Sequence, residues 1–219
     1  MTDATQQRLL DAAEEVFAEK GFKAASIRAI CKRADANVAA VNYYFGEKDR
    51  LYIEAVKYAH RSCTQGMPLP EWPAGTNAVT KLRDFIRVLV TRMMQPSSVA
   101  SLQLMMRELA HPTAACVEIV RDYIQPLAEK LVGILTELLP DATDRQRALV
   151  AFSIVGQAHF YRYHRPIAAL LVGEQEFGQY DVELVANHIT QFTFKALGIK
   201  ERDEGRGARD EGGNDENVF

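Results

Sequence analysis

Apolar positions recur along the chain with a helical period. Leu9, Ala13, Val16 and Phe17 fall at i, i+4, i+7 and i+8 and line one face, and Gly21 stands where a helix of that length stops. Ile27, Ile30, Cys31 and Ala34 repeat the pattern, with Ser26 placed to accept from the first open backbone N–H groups. Asp35-Ala36-Asn37 breaks it. Asn37 then caps a second short helix, Val38 to Tyr44, whose Val41 and Phe45 point back to a core. Glu47-Lys48-Asp49 places acids at the start of a longer helix with Leu51, Ala55, Tyr58 and Ala59 as its buried stripe.

Between Gly66 and Gly75, three prolines forbid regular helix, which marks a boundary between two parts. Beyond it the pattern predicts helices at about 76–94, 98–110, 113–139, 144–164 and 181–197, punctuated by Pro96, Pro112, Pro140, Pro166 and the stretch from Gly173 to Gly178. Pro126 should kink the third of these at Gln125. No useful strand alternation occurs, so the fold class is all-α: an N-terminal helix-turn-helix domain over 1–60 with its last helix connecting to about 66, a helical bundle over 67–198, and a tail over 199–219 rich in Gly, Asp, Glu and Asn that is expected to be disordered.

Composition narrows the classes. With 47% hydrophobic and 25% charged residues the 219-residue chain can bury a sizeable core. Cys31, Cys63 and Cys116 are odd in number and far apart, which suggests neither a disulfide framework nor a zinc site, and a reducing cytoplasm is the expected location. Polar residues open the chain and no run of about eighteen apolar residues follows, so neither a signal peptide nor a membrane span is expected. The net charge of −3 is unevenly placed: 199–219 hold four basic and seven acidic residues, whereas 20–61 hold nine basic and four acidic. The latter surplus is an electrostatic footprint for nucleic acid, although a merely solvated face would look the same.

Two short helices joined by a tight turn are what reading a major groove requires, because one helix must present its exposed face to base edges while the other braces it on the backbone. An ordinary helical hairpin has the same spacing. The segments Ser26-Ile-Arg-Ala-Ile-Cys-Lys-Arg-Ala and Asn37-Val-Ala-Ala-Val-Asn-Tyr-Tyr-Phe-Gly-Glu-Lys-Asp-Arg-Leu-Tyr, with Phe17, Gly21 and Phe22, resemble the DNA-binding domain of the tetracycline-repressor family over residues 5–60. The resemblance implies that the helix from Val38 reads DNA, with Val38, Ala39, Asn42 and Tyr43 toward the groove and Arg28, Tyr44 and Lys48 on phosphates. Ser26 and Asn37 complete the candidate DNA-binding set. The chemistry agrees: Asn can pair bidentately with adenine, Val and Ala can meet a thymine methyl, and Tyr, Arg and Lys suit backbone oxygens. Two positions depart from the family pattern, Asp35 for the usual turn glycine and Asn42 for a common tyrosine.

The family resemblance also implies a homodimer through the helices at about 144–164 and 181–197. The first of these carries two stripes, Leu149-Phe152-Gly156-Phe160-Tyr163 and Val150-Ile154-Gln157-Tyr161-His164, so it is apolar on more than one side and must be buried against more than its own bundle. Arg107 to Thr113, Ile124-Gln-Pro126 and Ser153 to Phe160 resemble the C-terminal domain of a subgroup that regulates antibiotic sensitivity and efflux. That implies a pocket for a small-molecule effector, with Arg107, Glu108, His111, Gln157, Phe160, Tyr161 and His164 as candidate lining residues, each of which packing or a salt bridge would also explain. No cofactor is expected. No metal is expected either: His159 and His164 are five apart, Cys116 is five beyond His111 across a proline, and His60 with Cys63 lacks a further ligand. The expected function is a transcriptional regulator released from a double-stranded, pseudo-palindromic operator by its effector. A small-molecule enzyme or carrier lacks support, for there is no phosphate loop, nucleophile elbow or H-E-x-x-H. An architectural DNA binder is disfavoured by the acidic whole.

Overall fold

Side-chain caps decide where most of the helices begin. In the computed structural model, which describes residues 4–64 and 67–199, Ser26 Oγ accepts from Ala29 N–H at 3.2 Å to open α2 (Ile27–Ala34), and Asn37 Oδ1 accepts from Ala40 N–H at 2.8 Å to open α3 (Val38–Phe45). Asn77 caps α5 (Ala78–Met94), Ser98 caps α6 (Val99–Ala110), Thr113 caps α7 (Ala114–Ile119), and Asp181 caps α12 (Val182–Ala196). Thr143 and Gln146 form a reciprocal capping box at the start of α9 (Asp144–Tyr163). Such caps contribute about 1 kcal/mol apiece. No strand occurs among the described residues, and no described helix is long and apolar enough to cross a membrane.

Helix α1 (Ala4–Ala24) is broken at Gly21, where φ is +73°. The region it adopts is one that side chains rarely tolerate, and the Arg107 guanidinium lies close enough over it that a Cβ would sit 3.3 Å from Nη1. Helix α4 (Lys48–Thr64) leads out of the first domain, with Leu51, Ala55 and Ala59 fully buried as the period requires. Tyr58 differs: it is half-buried, and its hydroxyl donates to Asp11 at 2.8 Å.

The segment expected as one kinked helix over 113–139 is α7, a π-helical turn at Val120–Ile124, and α8 (Gln125–Leu138). Pro126, in the first turn of α8, lacks an N–H and fits where a helix starts, and the preceding turn widens to deliver the chain there. Likewise Pro166 opens rather than ends a helix, α10 (Arg165–Val172), which is followed by the single turn α11 (Glu174–Phe177).

Two main cores result. The first joins α1 to α4 and draws in Leu104 and Met105 from α6 and Ala115 and Ile119 from α7. The second joins α5, α8, α9 and α12 around Phe85, Ile86, Leu89, Leu135, Ile154 and Ile189. A small third cluster, Ala168, Ala169 and Phe177, holds α10 to α11. Helices α6 and α7 therefore pack with the N-terminal core although they follow the proline-rich stretch in sequence. The tail expected beyond Ile199 lies outside the described residues.

Candidate nucleic-acid interface and effector site

Asp35 is the hinge of the first site. At φ 47° and ψ 54° it is the left-handed residue ending α2, and its backbone N–H donates to the Cys31 carbonyl. Asp accepts this region more readily than most side chains, so the short turn to Asn37 closes without a glycine. Val41 and Phe45, 0% and 5% exposed, then lock one face of α3 into the core. The opposite face is open: Val38 is 43% and Tyr43 82% exposed, and Ala39 and Asn42 are exposed beside them. Arg28 is exposed on α2, and Tyr44 is half-buried with its ring edge-on to Tyr43 at 4.9 Å. Ser26 and Asn37 are exposed at the helix starts, where their side-chain oxygens serve as caps. Lys48 rests its ammonium 4.6 Å above the Phe22 ring and donates to the Lys23 carbonyl at 3.5 Å.

The positive surplus of 20–61 is narrower in space than in sequence. Arg33 pairs with Glu19 at 2.8 Å and with Glu15 at 3.3 Å, Arg50 with Glu54 and Glu118 at 2.7 and 2.9 Å, and Lys57 with Asp122 and Glu118 at 2.8 and 3.2 Å. Most of these acids lie outside the basic window. The neighbouring cations hold Glu118 below the usual carboxylate range and bring Asp122 to about 2. Among the described residues, Arg28, Lys32 and Lys48, on and beside the exposed pair of short helices, meet no carboxylate.

The effector candidates fall into two separate groups. Arg107 donates from Nε to the Ala18 carbonyl at 2.8 Å and from Nη2 to the Glu19 carbonyl at 3.2 Å, so it ties down the end of the first stretch of α1. Glu108, 2% exposed, accepts from the Tyr52 hydroxyl and from the Thr113 N–H and hydroxyl at 3.2 and 3.0 Å. His111 is exposed and ends α6. Tyr52 and Thr113 also wall a cleft of about 150 Å³ between α4 and the start of α7, closed by Phe22, Asp49, Ile53, Ala114 and Ala115. In the second group, Gln157 donates to the Ser153 carbonyl at 3.2 Å, Phe160 and His164 stack in parallel at 5.3 Å on the surface, and Tyr161 packs between the second and third clusters. The seven residues thus do not converge on one pocket.

Sequence reasoning missed a buried basic junction of α4, α5 and α9. Arg162, 7% exposed, donates to the Met93 and Gln95 carbonyls at 3.0 and 3.2 Å and to Ser97 Oγ at 2.9 Å. Arg92 donates to the Met67 carbonyl, and its Nε, like His60 Nδ1, is buried without a hydrogen-bond partner among the described residues. Burial, reinforced by Arg92, Arg61 and Arg162, pushes the His60 imidazole down to about 4 and leaves it neutral. Burial also lowers Arg92 and His159 and raises the Tyr163 phenol. One signal was available: Arg162 continues the buried register Ala151, Ile154, Ala158. Among the described residues no group of three His, Cys, Asp or Glu side chains could hold a metal ion.

Comparison with known proteins adds two family matches. Residues 9–55 match the family described as bacterial regulatory proteins, tetR family, and residues 78–197 match the C-terminal domain of the HTH-type transcriptional dual regulator CecR. CecR of Shigella flexneri is 26% identical over 205 residues, covering 86% of this chain and 89% of that protein. The HTH-type transcriptional repressor NicS of Pseudomonas putida is 35% identical over 63 residues, 29% of this chain and 30% of that protein. A bacterial regulatory protein of the tetR family from Rhodococcus RHA1 is similar in structure, with a TM-score of 0.64 at 19% identity, covering 92% of this chain and all of that one.

Proposed function

The chain belongs to the tetR family of bacterial regulatory proteins with a CecR-type C-terminal domain, and from that premise we propose that it represses transcription by gripping a pseudo-palindromic operator until a small-molecule effector releases it. It is a DNA-binding transcriptional regulator. The observation that carries the proposal is the asymmetry of α3: Val41 and Phe45 fix its inner face while Val38, Ala39, Asn42 and Tyr43 stand outward on a braced turn. In this reading Asn42 reads an adenine edge, Val38 and Ala39 meet thymine methyls, Tyr43 faces the groove beside them, and Arg28, Tyr44 and Lys48 position the domain on phosphates. Ser26 and Asn37 set the pitch of the two helices through their caps and stand near the backbone.

The operator is twofold because the protein is. Leu149 and Phe152 on α9, 59% and 71% exposed, and Leu184 and Phe192 on α12, 52% and 57% exposed, form apolar faces that a second copy would cover. Such a dimer sets its recognition helices about 34–36 Å apart, one turn of DNA, and acts in the cytoplasm where the chromosome lies. The effector acts on α4, the helix shared between the DNA-binding core and the elements around the cleft and the basic junction.

Selection of bound fragments from random DNA, followed by fluorescence anisotropy against salt, tests this reading. A recovered inverted repeat bound about 1,000-fold or more above random sequence is the expected result. Equal affinity for random DNA would overturn it.

A further inference from the structure

Several basic side chains of this chain sit against carboxylates: Arg33, Arg50, Lys57, Lys81, Arg87 and Arg147 each meet one within 3.3 Å. The junction of α4, α5 and α9 is different. Arg92 and Arg162 enter the fold with no carboxylate in contact among the described residues, which is costly because a buried cation is normally compensated by an anion. Backbone carbonyls compensate in part. Arg162 spends its donors on Met93, Gln95 and Ser97 at the C-terminal end of α5, where the helix dipole is negative. Arg92 is served less well: it reaches the Met67 carbonyl, and its Nε–H has no acceptor among the described residues. On α4, His60 Nδ1 is buried and likewise has no partner among the described residues.

These two orphaned atoms, with Arg61, Arg92 and Arg162 all acting on His60, are groups that an anion would satisfy. An anion would accept from Arg92 Nε–H and from His60 Nδ1–H and would neutralise the positive field in which both sit. Beside the junction the same helices bury apolar side chains, Val56 from α4 in the first core and Leu89 from α5 and Ala158 from α9 in the second. A ligand that satisfies the junction therefore combines an anionic head with an apolar body.

We propose that this junction is an anion site in which Arg92 and His60 hold the carboxylate or phosphate head of an otherwise apolar effector, with Arg162 supplying charge from behind. The site rests on the effector reading given above and deepens it: the effector of this regulator is an amphipathic organic anion. Occupancy also favours protonation of His60, because the bound anion offsets the Arg61, Arg92 and Arg162 charges that, with burial, disfavour it; the Tyr123 ring lies tilted against the imidazole at 4.8 Å.

The test is calorimetric titration of the full chain with decanoate, decyl phosphate and decanol, which share an apolar body and differ in head group. One of the two anions is expected to bind at least about tenfold more tightly than decanol, and which of them does so separates a carboxylate from a phosphate ligand. Arg92→Gln is expected to remove about tenfold or more of that anion's affinity while leaving decanol unchanged, and His60→Gln several-fold. Arg87→Gln, on the exposed side of the same helix and paired with Glu183, is expected to change nothing. The proposal is overturned if decanol matches both anions, if neither anion binds at about 1 mM, or if neither Arg92→Gln nor His60→Gln weakens binding. Should Arg92→Gln fail to fold, His60→Gln decides alone. Anisotropy of operator DNA in the same samples separates the two readings. Anion binding that leaves DNA affinity unchanged upholds the site and removes the effector role. Release by decanol that Arg92→Gln does not alter upholds an effector and removes the anion site.

Discussion

Replacing Tyr52 by Phe isolates a hydroxyl that ties α4 to α6. Tyr52 is 6% exposed, and its ring stands edge-on to Phe17 at 4.9 Å and to Phe22 at 5.0 Å, contacts that phenylalanine keeps. What goes is the hydrogen bond donated to Glu108, a carboxylate 2% exposed whose other donors are the Thr113 N–H and hydroxyl. A hydrogen bond to a buried charged group is worth about 1.5–3 kcal/mol, and the remaining Thr113 donors spare the carboxylate from complete isolation, so a loss of about 2 kcal/mol is expected. For a chain of this size that lowers Tm by roughly 4–8 °C. Equilibrium urea unfolding at fixed protein concentration measures it, with the slope unchanged if only this contact is lost. The cycle completed by Glu108→Gln should return a coupling of about 1–2 kcal/mol between the two positions. A Tyr52→Phe loss below about 0.5 kcal/mol would show that the hydroxyl is not bound to a charged partner, and the account of this junction would fall.

Tyr43→Ala and Lys48→Ala should each weaken operator binding, and Lys48→Ala should also flatten its salt dependence, seen by anisotropy, with the helical circular dichroism unchanged; Asn42→Ala should in addition relax base preference at one position by about 1–3 kcal/mol. Unchanged affinity in all three variants would remove the assignment of α3 to the groove. In the absence of ligand, His60 is held neutral in the fold down to about 4, whereas in the unfolded chain it takes up a proton near its ordinary value. Stability is therefore lost as pH falls between those values, by about 2–3 kcal/mol from neutral pH to about 4.5. His60→Gln should lack that part of the acid loss when urea midpoints at the two pH values are compared, and equal acid losses would refute the burial of a neutral imidazole. Asp35→Gly should raise stability by about 0.5–1 kcal/mol, since the residue sits at φ 47°, and Asp35→Val should lower it by about 1–2 kcal/mol; a chemical melt giving the opposite order would contradict the left-handed turn.

The helix-turn-helix was legible because the interactions that define it are short in sequence. Ser26 caps through Ala29 and Asn37 through Ala40, each three residues away, and the buried registers of Leu9 to Phe17 and Leu51 to Ala59 repeat within single helices. Period and caps fixed helix type, rough extent and inward face from the order of residues alone, and they placed the open face of α3. They left the partners of those faces open. That Arg107 would hold the end of α1, that Glu108 would answer Tyr52 across 56 positions, and that Arg162 would close α5 across 69 depended on which helices met. Periodicity tells a helix which side to bury and is silent on what lies opposite, so the polar interior, with His60 Nδ1 and Arg92 Nε lacking partners among the described residues, was decided only by tertiary packing.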